Sequence, residues 1–217
     1  MPKQTFYNLS NEKRQRLLTA AYDEFSRVSL DEASINVIIQ HSDISRGSFY
    51  QYFHDKEDLY FYCLDLLKED MTPRISECFI KADGKLIEGL IGTFKFMYEH
   101  YLNGEHNLFY HQFFVNMTYR RSRNIYENED SEDKKNHAVI TLKELVKLIN
   151  KEELKFATET ELVSFLQYIF QMMHWSIANV FLKNLSEESA YEIIYQRLSW
   201  MANGILIDEK NKEVTSV

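Results

Sequence analysis

The amino-acid sequence predicts an all-α protein, and two features of its composition support this fold class. Apolar residues make up 45% of the 217-residue chain, so a sizeable core can be buried. The chain contains only 6 Gly and 2 Pro, and long stretches between them are free of both. Because β-rich folds need many turn residues, whereas Pro is almost excluded from helix interiors, this scarcity favours helices throughout.

Apolar spacing and capping residues predict three short helices within residues 1–57. Ser10 is the predicted N-cap of the first helix, because its hydroxyl can accept a bond from a free amide of the first turn. Ser34 and Ser45 are predicted to cap the second and third helices in the same way. Asp55, with Asp58 three residues later, predicts the start of a fourth helix. The apolar face of the first helix contains Leu17, Leu18, Ala21 and Phe25.

Longer helices are predicted beyond this point. The fourth helix runs toward Met71, where Pro73 marks an end or a kink. An acidic, polar loop is predicted at residues 124–135. The further helices are predicted at about residues 84–101, 108–123, 136–149, 158–182 and 186–207.

The second and third helices, separated by a tight turn at residues 41–43, form a predicted helix-turn-helix. Phe49 and Phe53 are four residues apart and can anchor the third helix to the core. An Arg near the start of such a helix, here Arg46, can donate two hydrogen bonds to a guanine edge in the major groove. Gly47 has no side chain, so the backbone can approach a ligand closely. The pattern therefore predicts binding to double-stranded DNA, and the alternative is a short amphipathic helix of a bundle.

The charge of the chain does not support DNA binding. The net charge is −8, and residues 1–57 contain seven Lys or Arg against eight Asp or Glu. DNA affinity comes largely from cationic side chains that neutralise phosphates, so the prediction depends on the geometry of the motif. The net acidity keeps open a second function class, a helical ligand-binding or protein-interaction dimer whose DNA binding is weak or lost.

The segment from Lys13 to Tyr62 resembles the DNA-binding region of the TetR (tetracycline-repressor-like, TetR/AcrR) family, most closely in the run SRGSFYQYFHDKEDL. The resemblance implies a bacterial transcriptional regulator, most often a repressor, that binds a palindromic DNA operator as a homodimer. Ser29 and Asp43 stand where family members usually carry Gly. The resemblance implies phosphate contacts from Ser34, Ser45, Ser48, Tyr50, Tyr52 and Lys56, and base-facing positions at Asn36, Arg46, Gly47 and Gln51.

The last two predicted helices are joined by a very short link, which makes them antiparallel neighbours. The first of them is apolar on more than one face and therefore needs more than one packing partner. We expect this pair to meet its copy in a homodimer, and the alternative is a core within one chain. The expected interface residues are Phe165, Ile169, Met173, Ile177, Val180, Ile194, Leu198 and Met201.

The middle of the chain is rich in aromatic residues and predicts an effector pocket. Pockets for small molecules are mostly apolar with a few polar groups, so an apolar or aromatic effector is expected. The alternative is ordinary core packing. The expected lining residues are Phe94, Tyr98, Tyr110, Phe113, Phe114, Met117, Gln167, Gln171 and His174.

Other classes of function find no support in the sequence. It lacks the common catalytic and phosphate-binding motifs, so no enzyme, catalytic residue or cofactor is expected. The spacing of His100, His106 and His111 does not favour a metal site. The uncharged stretch 162–182 carries too many polar residues for a membrane span. We expect a cytoplasmic protein with a DNA-binding domain at 1–57, a regulatory and dimerisation domain at 58–209 and a tail at 210–217.

Overall fold

The computed structural model describes residues 2–69, 71–116 and 142–205, and these residues are mostly helical, with no β-strand among them. The all-α prediction is confirmed. The predicted pocket residue Met117, the predicted loop at 124–135 and the predicted tail at 210–217 lie outside the described residues. In the ranges that are described, no helix combines the length and apolar character needed to cross a bilayer.

The helices whose two ends both lie in the described ranges are numbered in chain order, and residues 142–146 are helical as well. A π-helical turn, Glu99–Asn103, directly follows α7. The helices are α1 (Gln4–Tyr7), α2 (Asn11–Arg27), α3 (Ile35–Ser42), α4 (Arg46–Tyr52), α5 (Lys56–Lys68), α6 (Met71–Lys81), α7 (Leu86–Tyr98), α8 (Asn107–Asn116), α9 (Glu159–Lys183) and α10 (Glu187–Ile205).

These helices belong to two compact units. The first unit combines residues 1–71 with 100–118, and in it α2 packs against α3, α5 and α8. Its fully buried side chains include Leu17, Phe25, Ile38, Phe49, Phe53, Leu59 and Phe109. The second unit combines 72–99 with 119–217, and in it α7, α9 and α10 pack against one another. Its fully buried side chains include Leu90, Phe94, Met97, Leu166, Ile169, Met173, Ile177 and Ile194.

Most of the predicted caps are present. The side-chain oxygens of Ser10, Ser45 and Asp55 each accept the backbone N–H three residues later, which starts α2, α4 and α5. The expected cap at Ser34 is wrong, because its side chain makes no capping bond. Its backbone N–H instead donates to the buried carboxylate of Glu24, 2.8 Å away.

The fourth predicted helix ends earlier than the sequence indicated. α5 stops at Lys68, and a separate helix, α6, begins at Met71. Pro73 lies in the first turn of α6, where a missing backbone N–H costs nothing because that donor has no partner within the helix. The proline therefore helps to start a helix and does not kink one. α6 then packs closely on α7, since a Cβ on Gly89 would lie 2.5 Å from the Phe79 ring.

Candidate nucleic-acid interface

The helix-turn-helix consists of α3, a tight turn and α4. Asp43 ends α3 in the left-handed conformation, with φ 54° and ψ 46°, and lets the chain reverse toward α4. Asp adopts this conformation more easily than most residues, so it can stand where the resemblance led us to expect Gly. Phe49 and Phe53 have no exposed surface and anchor α4. The opposite side of this short helix is therefore the side left for a ligand.

Arg46, Asn36 and Tyr50 come together on the exposed side of α3 and α4. The Arg46 guanidinium donates to the Asn36 side-chain oxygen at 2.6 Å and to the Tyr50 hydroxyl at 3.3 Å. It also lies 5.7 Å from the centre of the Tyr50 ring, within the range of a cation–π contact. These contacts hold Arg46 across the start of α4, and the remaining guanidinium N–H groups are available to a hydrogen-bond acceptor.

The other predicted contact residues of α4 surround this cluster. The Ser45 and Ser48 hydroxyls are hydrogen-bonded at 2.9 Å. Gly47 and Gln51 are exposed, whereas Tyr52 is half-buried. A Cβ added to Gly47 would meet only the Ser45 hydroxyl oxygen, 3.8 Å away, so no steric demand of the protein itself requires glycine there.

Lys56 and Ser34 lie near the start of α3. The Lys56 ammonium donates to the backbone carbonyls of Asp31 and Ala33, at 2.6 and 2.9 Å. The cation therefore holds the loop between α2 and α3. Ser34 is half-buried, and its hydroxyl is not used as a helix cap. The ten residues predicted to contact DNA are all at least partly exposed and all lie in the first unit.

Glu24, which was not predicted as a site residue, supports the start of α3. Its side chain is buried, with one carboxylate oxygen bonded to the Ser34 N–H and the other to Arg27 at 3.1 and 2.7 Å. Arg27 itself remains 61% exposed. A signal was present, because Glu24 lies three residues after Ala21, on the apolar face of α2. A charged residue on such a face indicates a buried partner.

The helix α1, which packs against α4, was not predicted either. Phe6 is fully buried, and the Lys3 N–H donates to the Tyr52 carbonyl at 2.8 Å. A helix of four residues is too short to show an apolar period, so the pattern contained no signal for it.

Most of the predicted dimer residues are covered within the protomer. Ile169, Met173, Ile177, Val180, Ile194 and Leu198 are buried, whereas Phe165 and Met201 are half-buried. A side chain covered in this way has little surface left for a partner. The large apolar side chains of α9 and α10 that are exposed are Tyr168, Trp175, Leu182, Tyr195 and Trp200.

The predicted pocket residues fall into both units. Tyr110, Phe113 and Phe114 lie on α8 in the first unit, where burial raises the pKa of the Tyr110 hydroxyl and His100 bonds to it at 2.8 Å. Phe94 and Tyr98 lie in the second unit beside Tyr191.

The polar members of the predicted pocket are more exposed. Gln167 and Gln171 point to the surface, and half-buried His174 bonds to the Phe170 carbonyl at 2.8 Å. The second unit also has an open groove of about 510 Å³ that uses other residues. Its lining contains Arg74, Glu77, Cys78, Lys81, Lys95 and Phe96.

Comparison with known proteins relates both parts of the chain to one family. Residues 17–63 match the family of bacterial regulatory proteins called tetR, and residues 85–205 match the tetracyclin repressor-like C-terminal domain. None of the curated proteins compared with the chain matches it.

Solved structures share the fold. A TetR-family transcriptional regulator from Syntrophomonas wolfei is 22% identical, with a TM-score of 0.65 over 88% of this chain and 95% of that one. A transcriptional regulator from Streptomyces coelicolor is 18% identical, with a TM-score of 0.52 over 87% of this chain and 97% of that one. Because the C-terminal family match alone spans more than half of the sequence, the chain belongs to the TetR family of bacterial transcriptional regulators.

Proposed function

We propose that the protein is a ligand-responsive transcriptional repressor that binds a palindromic operator as a homodimer and releases it when a small apolar or aromatic molecule binds the C-terminal domain. The observation that carries the DNA-binding part is the position of Arg46. It stands exposed at the start of a short helix whose other side is anchored by Phe49 and Phe53. In helix-turn-helix proteins this end of the second helix enters the major groove.

Arg46 is the proposed base reader, and its contacts prepare it for that role. The bond to Asn36 and the contact with Tyr50 restrict the side chain before DNA arrives, so less rotamer entropy is lost on binding. Gln51 and the bare backbone at Gly47 extend the same exposed side. Ser45 and Ser48, at the start of α4, are proposed to donate to phosphate oxygens.

The homodimer is proposed to form through exposed aromatic and apolar side chains of α9 and α10. Tyr168, Trp175 and Leu182 are spaced seven residues apart, so they lie on one face of α9, and they are 61%, 56% and 58% exposed. Trp200 on α10 is 66% exposed. Exposed apolar residues aligned in this way are typical of an interaction surface. The Trp175 ring is already held by Arg197, whose guanidinium lies 5.0 Å from the ring centre.

The effector is proposed to act by selecting one arrangement of the two DNA-binding domains of the homodimer. Both recognition helices fit successive major grooves when they are roughly 34–36 Å apart. A molecule that binds another arrangement more tightly weakens operator binding by that difference in affinity. The aromatic residues Phe94 and Tyr98, which pack around Tyr191 in the second unit, support an apolar or aromatic effector.

Selection from a random-sequence duplex library tests DNA binding. The wild-type dimer should enrich a palindrome, and Arg46→Ala should lower affinity for it by about 1–3 kcal/mol while relaxing the preference at one base position of each half-site. Arg16→Ala, which removes an exposed arginine from α2, is the matched control and should keep the base preference. A folded dimer that enriches no duplex at low salt contradicts the repressor proposal and favours a ligand-binding or interaction protein.

Sedimentation equilibrium tests the dimer surface. The double substitution Trp175→Ser with Trp200→Ser should weaken self-association, and operator affinity should fall with it. Leu108→Ser removes an equally exposed apolar side chain from α8 and should leave the dimer intact. Equal self-association of all three proteins would show that the interface lies elsewhere.

A further inference from the structure

The last turn of the recognition helix α4 is bonded to the N-terminal segment, residues 2–7. The Lys3 ammonium donates to the Tyr50 carbonyl at 2.8 Å, and the Lys3 backbone N–H donates to the Tyr52 carbonyl, also at 2.8 Å. The final carbonyls of a helix have no partner within it and must be bonded by something else. One residue of the N-terminal segment supplies two of these bonds.

A third bond from the segment completes the set. The Thr5 hydroxyl donates to the Gln51 carbonyl. The Phe53 N–H bonds to the Phe49 carbonyl at 2.9 Å, as in a normal helix end. Each of the last four carbonyls of α4 therefore has a donor, and three of the four donors belong to the N-terminal segment.

Phe6 fixes the segment in this position. Its side chain is fully buried, and its ring lies 5.0 Å from the Phe53 ring and 5.3 Å from the Tyr62 ring. Arg14 at the start of α2 holds the end of the segment, since it donates to the Tyr7 carbonyl at 2.8 Å. The Arg14 guanidinium also lies 5.6 Å from the Phe6 ring. The segment is thus attached to α2, α4 and α5 together.

The recognition helix needs such support. It has only seven residues, and isolated helices this short are unstable in water. Its last turn contains no basic residue, so the Lys3 ammonium supplies the positive charge that favours the negative end of the helix dipole. We propose that the N-terminal segment is a positioning element for DNA recognition, in which Lys3 and Thr5 cap the C-terminal end of α4 and fix the helix that Arg46 presents to DNA.

This inference rests on the proposed DNA-binding function and competes with one other role for Lys3, a direct phosphate contact. The two roles differ in their dependence on salt. Each phosphate contact adds about 0.9 to the slope of log affinity against log salt concentration. A cap changes the affinity and leaves that slope unchanged, because it releases no counterion from the DNA.

The experiment compares the wild type with Lys3→Met, Lys3→Arg and Thr5→Val, using the duplex that the wild type selects from a random library. Titrations at several salt concentrations give affinity and slope, and amide hydrogen exchange reports the opening of α4 directly. Lys13→Met is the matched control, since it removes an exposed cation of α2 from the same unit and leaves the three bonds from Lys3 and Thr5 to α4 in place. Thr5→Val keeps the shape of the side chain and removes only the donor.

If Lys3 and Thr5 cap α4, Thr5→Val and Lys3→Met should each lower the affinity for the selected duplex by about threefold to tenfold, the usual range for one lost hydrogen bond. Their salt slopes should match the wild type, exchange should quicken within residues 46–53 alone, and Lys3→Arg should keep most of the affinity. A lower slope for Lys3→Met with normal affinity for Thr5→Val would identify a phosphate contact and overturn the proposal. Unchanged exchange in α4 would overturn it as well, even if the wild type bound no duplex.

Discussion

Gly47→Ala should stabilise the recognition helix and weaken DNA binding at the same time. Glycine inside a helix costs roughly 0.5–1 kcal/mol relative to alanine, because it loses more backbone entropy on folding. The new Cβ would meet only the Ser45 hydroxyl oxygen, at the ordinary contact distance of 3.8 Å. Nothing in the protein therefore opposes the gain, and the opening of α4 should become about twofold to fivefold rarer.

DNA binding should weaken because the new methyl group would lie where α4 is proposed to approach the DNA. Gly47 is the second residue of α4, at the end proposed to approach the base edges. A methyl group forced into a closely packed contact costs about 1–3 kcal/mol, which corresponds to a loss of affinity between about fivefold and 150-fold.

Two measurements test the expected gain in the stability of α4 and the expected loss of DNA affinity separately. Amide hydrogen exchange gives the stability of α4, and titration with the selected duplex gives the affinity. Gly204→Ala is the matched control, because nothing lies within 4 Å of its new Cβ and the residue is in α10. If Gly47→Ala kept the wild-type affinity, the backbone at this position would not approach DNA closely and the proposed orientation of α4 would be refuted.

Three further predictions concern ionisable side chains. Arg27→Met should lower the stability of the first unit by about 1.5–3 kcal/mol, because the buried Glu24 carboxylate loses a hydrogen-bond partner. Adding Glu24→Gln should restore part of that stability, and amide hydrogen exchange in the first unit measures both effects. Asp43→Asn should tighten DNA binding without a change in stability, since Asn tolerates φ 54° equally well and carries no negative charge; equal affinities would place Asp43 away from the phosphates. Burial and the nearby acidic charges raise the pKa of Tyr191 from 10.0 to about 12, so the folded state holds its proton longer. Stability should therefore fall between pH 10 and 12, and the fall should be shallower in Tyr191→Phe, as measured by alkaline unfolding.

The sequence predicted the helix-turn-helix well because its signals are local. Ser45 and Asp55 each lie within three residues of the amide that they cap, and the spacing of Phe49 and Phe53 follows directly from the helical repeat. The hydrogen bonds that orient the helix-turn-helix, in contrast, join residues far apart in the sequence. Lys56 bonds to the Asp31 carbonyl across 25 residues of sequence. Such partners depend on tertiary packing, so a pattern within one helix cannot reveal them.

The same limit explains why α6 was not predicted as a separate helix. A proline seen from the sequence can end a helix, kink it or occupy the first turn of a new one, and these cases differ only in the residues before it. Pro73 takes the third possibility, two residues after Met71 begins α6. No apolar period distinguishes a single helix through this region from two, because α5 and α6 both bury residues on one face.

The sequence alone does not decide which of the two apolar faces of α9 forms the subunit interface. The helix is apolar on the side of Ile169 and Met173 and again on the side of Tyr168 and Trp175, so both stripes are candidates for a subunit interface. The stripe that contains Ile169 and Met173 is covered by α7 and α10 within the protomer, while the stripe that contains Tyr168 and Trp175 remains exposed. This division follows the chemistry of the side chains, because Tyr and Trp carry a polar group and tolerate water better than Ile or Met does. An interface on the aromatic stripe would therefore let the protomer fold before it pairs, and the paired tryptophan substitutions should weaken self-association without lowering the stability of the second unit.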